Sequence, residues 1–198
     1  MHISNFTIRE LTWIFQKGIV KGTLNYESLV NYLYRKSWIG KTYSEKDYDG
    51  KPEEYCWMHL IAPSLFDFFN LSDAVLKQKE YPNTGYILCI DSLTLKIEGL
   101  IRHFAKLIQC PTIIMNKKKN GTRERYIEEI ITHEKFKAYF SEEDIVLVIY
   151  LMTSKGMNIR NNVAHSFYKY ENYSPAIMFL LIALLLRLSK FELNFNKK

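Results

Sequence analysis

Apolar residues recur every three or four positions along nearly the whole chain, and this spacing places them on one face of an α-helix. The first such stripe consists of Ile8, Leu11, Phe15 and Ile19. Residues 7–10 form a capping box, which predicts the start of this helix. Residues 40–52 are polar and rich in turn-forming residues, so they predict a loop. The pattern breaks at residues 81–83, so we predict an N-terminal helical segment over residues 1–84.

Residues 85–198 carry longer apolar stripes. A helix over residues 85–109, ended by a proline, has its apolar face at Leu93, Ile97, Leu100, Ile101, Phe104 and Ile108. Residues 111–122 fit either a short hairpin or an irregular loop. Further along the chain, a helix is predicted to begin after Asn158 and to run to about Tyr170. No other segment alternates between apolar and polar residues in the way that a strand does. We therefore predict an all-α fold, in which a helical bundle follows the N-terminal segment.

The composition is that of a globular protein, with 47% hydrophobic and 24% charged residues over 198 positions. The three cysteines, Cys56, Cys89 and Cys110, are scattered and predict neither a disulfide framework nor a zinc site, which favours a reducing, cytoplasmic compartment. The first ten residues lack the layout of a signal peptide. The longest apolar run, residues 176–186, is shorter than the roughly 20 residues of a membrane span, so no membrane partner is expected.

The formal charge of +6 lies entirely in the second part of the chain. Residues 1–84 hold 10 basic and 10 acidic residues, whereas residues 85–198 hold 17 and 11. A basic cluster stands around residues 120–121 and consists of Lys117, Lys118, Lys119, Arg123 and Arg125. This distribution is typical of a protein with a polyanionic partner, and we predict that the cluster contacts an RNA backbone. The alternative is a solvated loop whose charge serves solubility.

The residues best suited to chemistry are Arg160, Asn161 and His165, at the start of a late helix. Metal-free RNA cleavage needs a base for the 2′-hydroxyl, an acid for the leaving 5′-oxygen and positive charge on the phosphate. A histidine can serve either proton role, an arginine fork suits a phosphate, and an asparagine can hold the phosphate or orient the histidine. One chain supplies a single such histidine, so a two-fold dimer would supply both acid and base.

The pattern Arg-Asn-x3-His in a late helix resembles the HEPN superfamily, over about residues 85–191. More narrowly, it is similar to a HEPN variant at the C-terminus of larger bacterial proteins of unknown function. The resemblance implies a HEPN-like bundle that dimerises, with Arg160 and His165 catalytic and Asn161 assisting. It also suggests Glu98 and Arg102 as supporting residues. The chain departs from these relatives at Ser166, where many have glycine, and Tyr168 lies one residue later than the tyrosine of some HEPN toxins.

The expected function is therefore that of a metal-independent endoribonuclease that uses the ribose 2′-hydroxyl as nucleophile, with no cofactor and no metal. The resemblance further suggests a homodimeric toxin or anti-phage effector, whose partners are RNA and an antitoxin or a larger defence assembly. The alternative is a non-catalytic HEPN-like module that binds nucleotide or RNA and dimerises a larger assembly. A third interpretation is an unrelated helical scaffold.

Overall fold

The computed structural model describes residues 5–46, 49–77, 85–116 and 121–191. Lys117, Lys118 and Lys119, together with the predicted break at residues 81–83, lie outside the described residues. The helices are α1 (Asn5–Val20), α2 (Tyr26–Lys36), α3 (Trp57–Leu76), α4 (Ile87–Leu107), α5 (Ile127–Ile131), α6 (Glu134–Lys137), α7 (Glu142–Met152), α8 (Ile159–Ala164) and α9 (Pro175–Ser189). None of the described helices is both long and apolar enough to cross a membrane.

The protein is mostly helical, but the prediction of a strictly all-α fold is wrong because two small antiparallel hairpins are present. The first pairs β1 (Thr42–Lys46), which lies within the predicted loop of residues 40–52, with β2 (Pro52–Cys56), which begins at the last residue of that loop. Tyr43 and Tyr55 face each other across it with ring centroids 5.8 Å apart, and such cross-strand aromatic pairs stabilise a hairpin. The second hairpin pairs β3 (Ile113–Asn116) with β4 (Gly121–Glu124). Of the two structures predicted for residues 111–122, a hairpin or an irregular loop, the hairpin is the one present.

The long helix predicted over residues 85–109 is confirmed as α4. Its predicted apolar face is buried, with Leu93, Ile97, Leu100, Ile101 and Phe104 all fully inaccessible to solvent. Helix α4 contributes residues to both of the compact units into which the chain divides: residues 1–93 with 170–198, and residues 94–169. This division differs from the predicted boundary after residue 84.

In the first unit, the last helix packs on the first. Helix α9 contacts α1, where the rings of Phe15 and Phe179 lie 5.5 Å apart. The indole Nε1 of the buried Trp38 donates a hydrogen bond to the Leu188 carbonyl at 2.7 Å. Because these contacts join sequence-distant elements, the strongly apolar C-terminal helix belongs with the N-terminal helices and not with the residues around the candidate motif.

The second unit, which contains the candidate motif, is built on an aromatic cluster. Phe104 of α4 contacts Phe136, Tyr139 and Phe140, with ring centroids 5.1–5.8 Å apart. The rings of Phe136 and Phe140 are stacked at 4.4 Å. This cluster fixes the second half of α4 against the segment around α6, so the polar side of α4 in this unit has a defined position.

We predict that Phe104→Ala lowers the free energy of unfolding by about 3–5 kcal/mol, because it removes a fully buried ring that touches three others. Urea unfolding followed by circular dichroism measures the change. Leu95→Ala on the same helix is the control: Leu95 is 43% exposed, and its truncation should cost clearly less. Equal losses for the two variants would contradict the assigned core.

Candidate functional site

A cavity of about 330 Å³ lies in the second unit and brings together five of the predicted site residues. Glu98, Arg102, Arg125, Arg160 and Asn161 all line it. The remaining lining residues are Glu124, Tyr126, Ile127, Glu128, Met152, Thr153 and Ser154. Three arginines and three glutamates, Glu98, Glu124 and Glu128, therefore line one concave site. Arginine N–H groups that no glutamate occupies are the ones open to an anionic group.

Glu98 is the centre of the hydrogen-bond network in this cavity. Its carboxylate accepts from Arg160 Nε at 2.5 Å and Nη2 at 3.3 Å, and from Arg102 Nε at 3.1 Å and Nη2 at 2.9 Å. Arg102 lies one turn after Glu98 on α4, so this part of the network is local. Arg160 reaches Glu98 from α8, 62 residues later in the chain, and only folding brings the two together.

The turn before α8 explains how Arg160 reaches this position. The Met157 N–H donates to the Tyr150 carbonyl at 2.6 Å, and a Cβ on Gly156 would come within 2.2 Å of that same oxygen. A glycine is therefore required where the chain folds back on the end of α7. Asn158 then takes a left-handed conformation, with φ of 52°, as the residue before α8. Asparagine tolerates that conformation better than most residues.

Asn161 orients Arg160. Its Oδ1 accepts a hydrogen bond from Arg160 Nη1 at 2.9 Å. The guanidinium is thus held on one side by the Glu98 carboxylate and on another by the amide, while about a third of the Arg160 side chain remains exposed. A fork fixed in this way is preorganised to meet an anion at its exposed edge.

The charges in the cavity hold Glu98 ionised. Burial by itself raises the pKa of this carboxyl, but the hydrogen bonds and charges of Arg160 and Arg102 outweigh burial and lower the pKa below its usual value. Arg102 also donates to the Glu124 carboxylate at 2.8 Å and to the Arg125 carbonyl at 3.0 Å. Four of the five N–H donors of Arg102 are therefore used in structural contacts, whereas three of those of Arg160 are, so Arg160 keeps more donors for a ligand.

His165 is not among the residues that line the cavity. It is the C-cap of α8, its side chain is exposed, and its ring stacks on that of Phe167 with centroids 5.5 Å apart. The predicted helix to about Tyr170 is wrong, because α8 ends at Ala164. The Ser166 and Phe167 N–H groups donate to the Val163 and Asn162 carbonyls, and Ser166 has φ of 55°, which together form a Schellman motif.

The early end of α8 changes the position of the residues that follow it. Phe167, which an unbroken helix would place beside Ile159 and Val163, is 69% exposed. Tyr168 is half-buried and does not line the cavity. Burial raises the pKa of Tyr168, and a hydrogen bond with the Asn162 side chain partly offsets that rise. Tyr168 therefore has a packing role in this structure.

The two described arginines of the basic cluster differ in their contacts. Arg123 forms a two-point ion pair with Glu129 at 2.7 and 2.8 Å, and the hydrogen bonds of Arg123 lower the pKa of Glu129 to about 2. Arg125 lines the cavity, and its buried Nε has no acceptor among the described residues. Sequence reasoning did not single out Tyr126, Glu124 or Glu129, because their contacts depend on the hairpin that precedes α5.

Within the part of the chain that the structure describes, no group of three or more His, Cys, Asp or Glu side chains is arranged to hold a metal ion. The described cysteines Cys56, Cys89 and Cys110 are buried free thiols. No family model, curated protein or solved structure matches this chain. The candidate site is a concave surface on which arginine and glutamate side chains meet.

We predict that Glu98→Gln lowers the free energy of unfolding at pH 7 by about 1.5–3 kcal/mol, because it removes charged hydrogen bonds that are mostly buried. The folded-state pKa of Glu98 lies below the unfolded one, so this stabilisation is present above the unfolded pKa and is lost as the pH falls through the folded pKa. The difference between wild type and variant should therefore shrink below about pH 4. Urea midpoints at pH 7, 5 and 3 measure it.

Glu124→Gln is the control for the Glu98 variant. It removes another carboxylate that Arg102 binds, but the Glu124 side chain is 66% exposed. An exposed ion pair contributes little, so the loss at pH 7 should stay below about 1 kcal/mol. A difference between wild type and Glu98→Gln that does not change with pH would contradict the assignment of an ionised, paired Glu98.

Proposed function

We propose that this protein is a metal-independent endoribonuclease and that Arg160 binds the scissile phosphate. The proposal depends on one observation: Arg160 is held by Glu98 and Asn161, keeps about a third of its side chain exposed, and lies in a cavity lined by two further arginines. An arginine fork binds phosphate at two points, and it best stabilises the charge that grows on the phosphorane-like transition state when it is already oriented.

The proposed reaction needs two proton transfers and no metal-bound water. One His165 takes the proton of the ribose 2′-hydroxyl, and the resulting oxygen attacks the adjacent phosphorus. The bond from phosphorus to the 5′-oxygen breaks, and a second histidine gives that oxygen a proton. The products are a 2′,3′-cyclic phosphate and a 5′-hydroxyl. Because each chain has one such histidine, we propose a homodimer in which the second is the partner's His165.

A second candidate function is a non-catalytic module that binds nucleotide or RNA and dimerises a larger assembly. The specific observation in its favour is the position of His165, whose exposed ring stacks on Phe167 and does not line the cavity. A cavity that holds the arginines but not His165 suits binding without the proposed reaction. The two candidates make the same prediction for anion binding and opposite predictions for cleavage.

The biological setting of the proposal comes from the HEPN resemblance alone. A HEPN-type ribonuclease suggests a bacterial toxin or an anti-phage effector, held in check by an antitoxin or within a defence assembly. It also suggests that the protein acts in the cytoplasm, where its RNA substrate is found. Neither setting changes the chemistry proposed for Arg160 and His165.

We expect the purified protein to cleave RNA in the presence of EDTA and to leave 2′,3′-cyclic phosphate ends. His165→Ala should slow cleavage by about 10²–10⁴-fold, because general acid–base catalysis contributes that much. Arg160→Lys should be strongly impaired, since a lysine keeps the charge but not the planar fork. Mass spectrometry of the 3′ ends identifies the products.

The control for the cleavage assay is His59→Ala, which removes an exposed histidine of the first unit. That variant should cleave at the wild-type rate. Wild-type activity in His165→Ala, or loss of activity on chelation, would contradict the mechanism. Binding of RNA without cleavage of any sequence would favour the non-catalytic module.

We also expect the protein to form a homodimer through the surface around His165. Multi-angle light scattering should give twice the chain mass, and Phe167→Glu should shift the mass towards one chain, because a charge would replace an exposed apolar ring beside His165. Leu95→Glu, at an exposed position on α4, is the matched control. A monomer at high concentration would argue against the two-histidine mechanism.

A further inference from the structure

We propose that Tyr126 and Arg125 form a nucleotide subsite beside Arg160, with a base stacked on the Tyr126 ring and a neighbouring phosphate bound by Arg125. The inference rests on the proposed function only for the identity of the ligand as RNA. It assigns to these two residues the binding of an unpaired nucleotide, a role separate from the chemistry of His165.

Tyr126 has the properties of a stacking surface. The residue lines the cavity and is 68% exposed. The Arg123 guanidinium carbon lies 4.7 Å from the ring centroid and covers one face of the ring. The exposed face is available to a flat partner, and aromatic side chains of this kind stack on single-stranded bases.

The ring is held in place before any ligand arrives. The Tyr126 N–H donates to Glu129 Oε2 at 2.7 Å, and both Glu129 oxygens also accept from Arg123. A single carboxylate therefore fixes the backbone of Tyr126 and the arginine that lies against its ring. Because the platform is already ordered, stacking a base on it costs little conformational entropy.

Arg125 has unused hydrogen-bonding capacity at the same cavity. Its backbone N–H donates to the Thr112 carbonyl at 2.7 Å, which anchors the residue at the end of β4. Its side-chain Nε is buried, and no described residue accepts from it. Buried donors normally have a partner, and the lack of one here shows that no described carboxylate holds the Arg125 guanidinium by a hydrogen bond through Nε. Arg125 itself lines the cavity. The guanidiniums of Arg102 and Arg160, by contrast, are already bonded to side chains of the cavity.

One nucleotide can contact both residues because both line the same cavity. A ribose links a base to its phosphate, so a base on Tyr126 brings a phosphate to the cavity where Arg125 lies. The base must be unpaired and unstacked from its neighbours to lie on the ring, which selects a single strand or a loop. The exposed edge of Arg160 is then available for the next phosphate along the strand.

The test is binding of 2′-O-methyl RNA pentanucleotides, which cannot supply the attacking hydroxyl, so affinity is measured without cleavage. Fluorescence anisotropy compares wild type with Tyr126→Ala and Tyr126→Phe. Tyr126→Ala should lower affinity about tenfold, and Tyr126→Phe should retain it because stacking uses the ring and not the hydroxyl. Tyr34→Ala removes a similarly exposed tyrosine from the first unit and should have no effect.

A series of pentanucleotides, each with one abasic position, distinguishes stacking from a general loss of structure. Loss of one particular base should weaken wild-type binding about tenfold and leave Tyr126→Ala binding unchanged. Arg125→Gln should lower the slope of log affinity against log salt by about 0.7, the value for one phosphate contact on a single strand. Thermal unfolding of each variant shows whether the fold is kept.

The outcomes separate this proposal from the ribonuclease proposal. Unchanged affinity in Tyr126→Ala, or an equal abasic penalty in wild type and variant, would overturn the subsite even if His165 proves catalytic. The expected base-specific loss in a protein that cleaves no RNA would support the subsite and overturn the ribonuclease. Failure of wild type to bind any pentanucleotide would overturn the subsite, whatever the outcome of the cleavage assay.

Discussion

A carboxylate that loses most of its contact with water needs charged partners, and Glu98 has two of them. Its side chain is 11% exposed and accepts hydrogen bonds from Arg102 on its own helix and from Arg160 on α8. Removing either arginine would leave a buried charge only partly compensated, which is costly. Helix α8 has six residues and is too short to be stable alone, so the ion pair with α4 is a main reason for its position.

The same network decides which groups at the cavity remain available to a ligand. Glu98 and Glu124 bind Arg102, Glu98 and Asn161 bind Arg160, and the Nε of Arg125 is left without an acceptor among the described residues. A second carboxylate, Glu129, arranges Arg123 and Tyr126 at the edge of the cavity. Two acidic residues therefore organise a basic site, and the net charge of the second part of the chain says little about where an anion would bind.

Local sequence rules predicted the parts of the fold that depend on neighbouring residues. The buried face of α4 follows from apolar spacing, and the contact between Glu98 and Arg102 follows from their separation by four positions. The same rules failed at residues 40–56, where the polar stretch hid a hairpin held by two tyrosines on opposite strands. They also failed after Ala164, because Ser166, a residue without strong left-handed preference, adopts that conformation and ends the helix.

By itself, the sequence determined the helical character and the apolar face of α4, since both depend on residue type and short-range spacing. Only the tertiary structure decided that Arg160 pairs with Glu98, that Arg125 and Tyr126 share its cavity and that His165 does not line it. These features join residues up to 62 positions apart or depend on where one helix ends. Such contacts form only when the buried Glu98 charge and the aromatic cluster around Phe104 bring distant segments together.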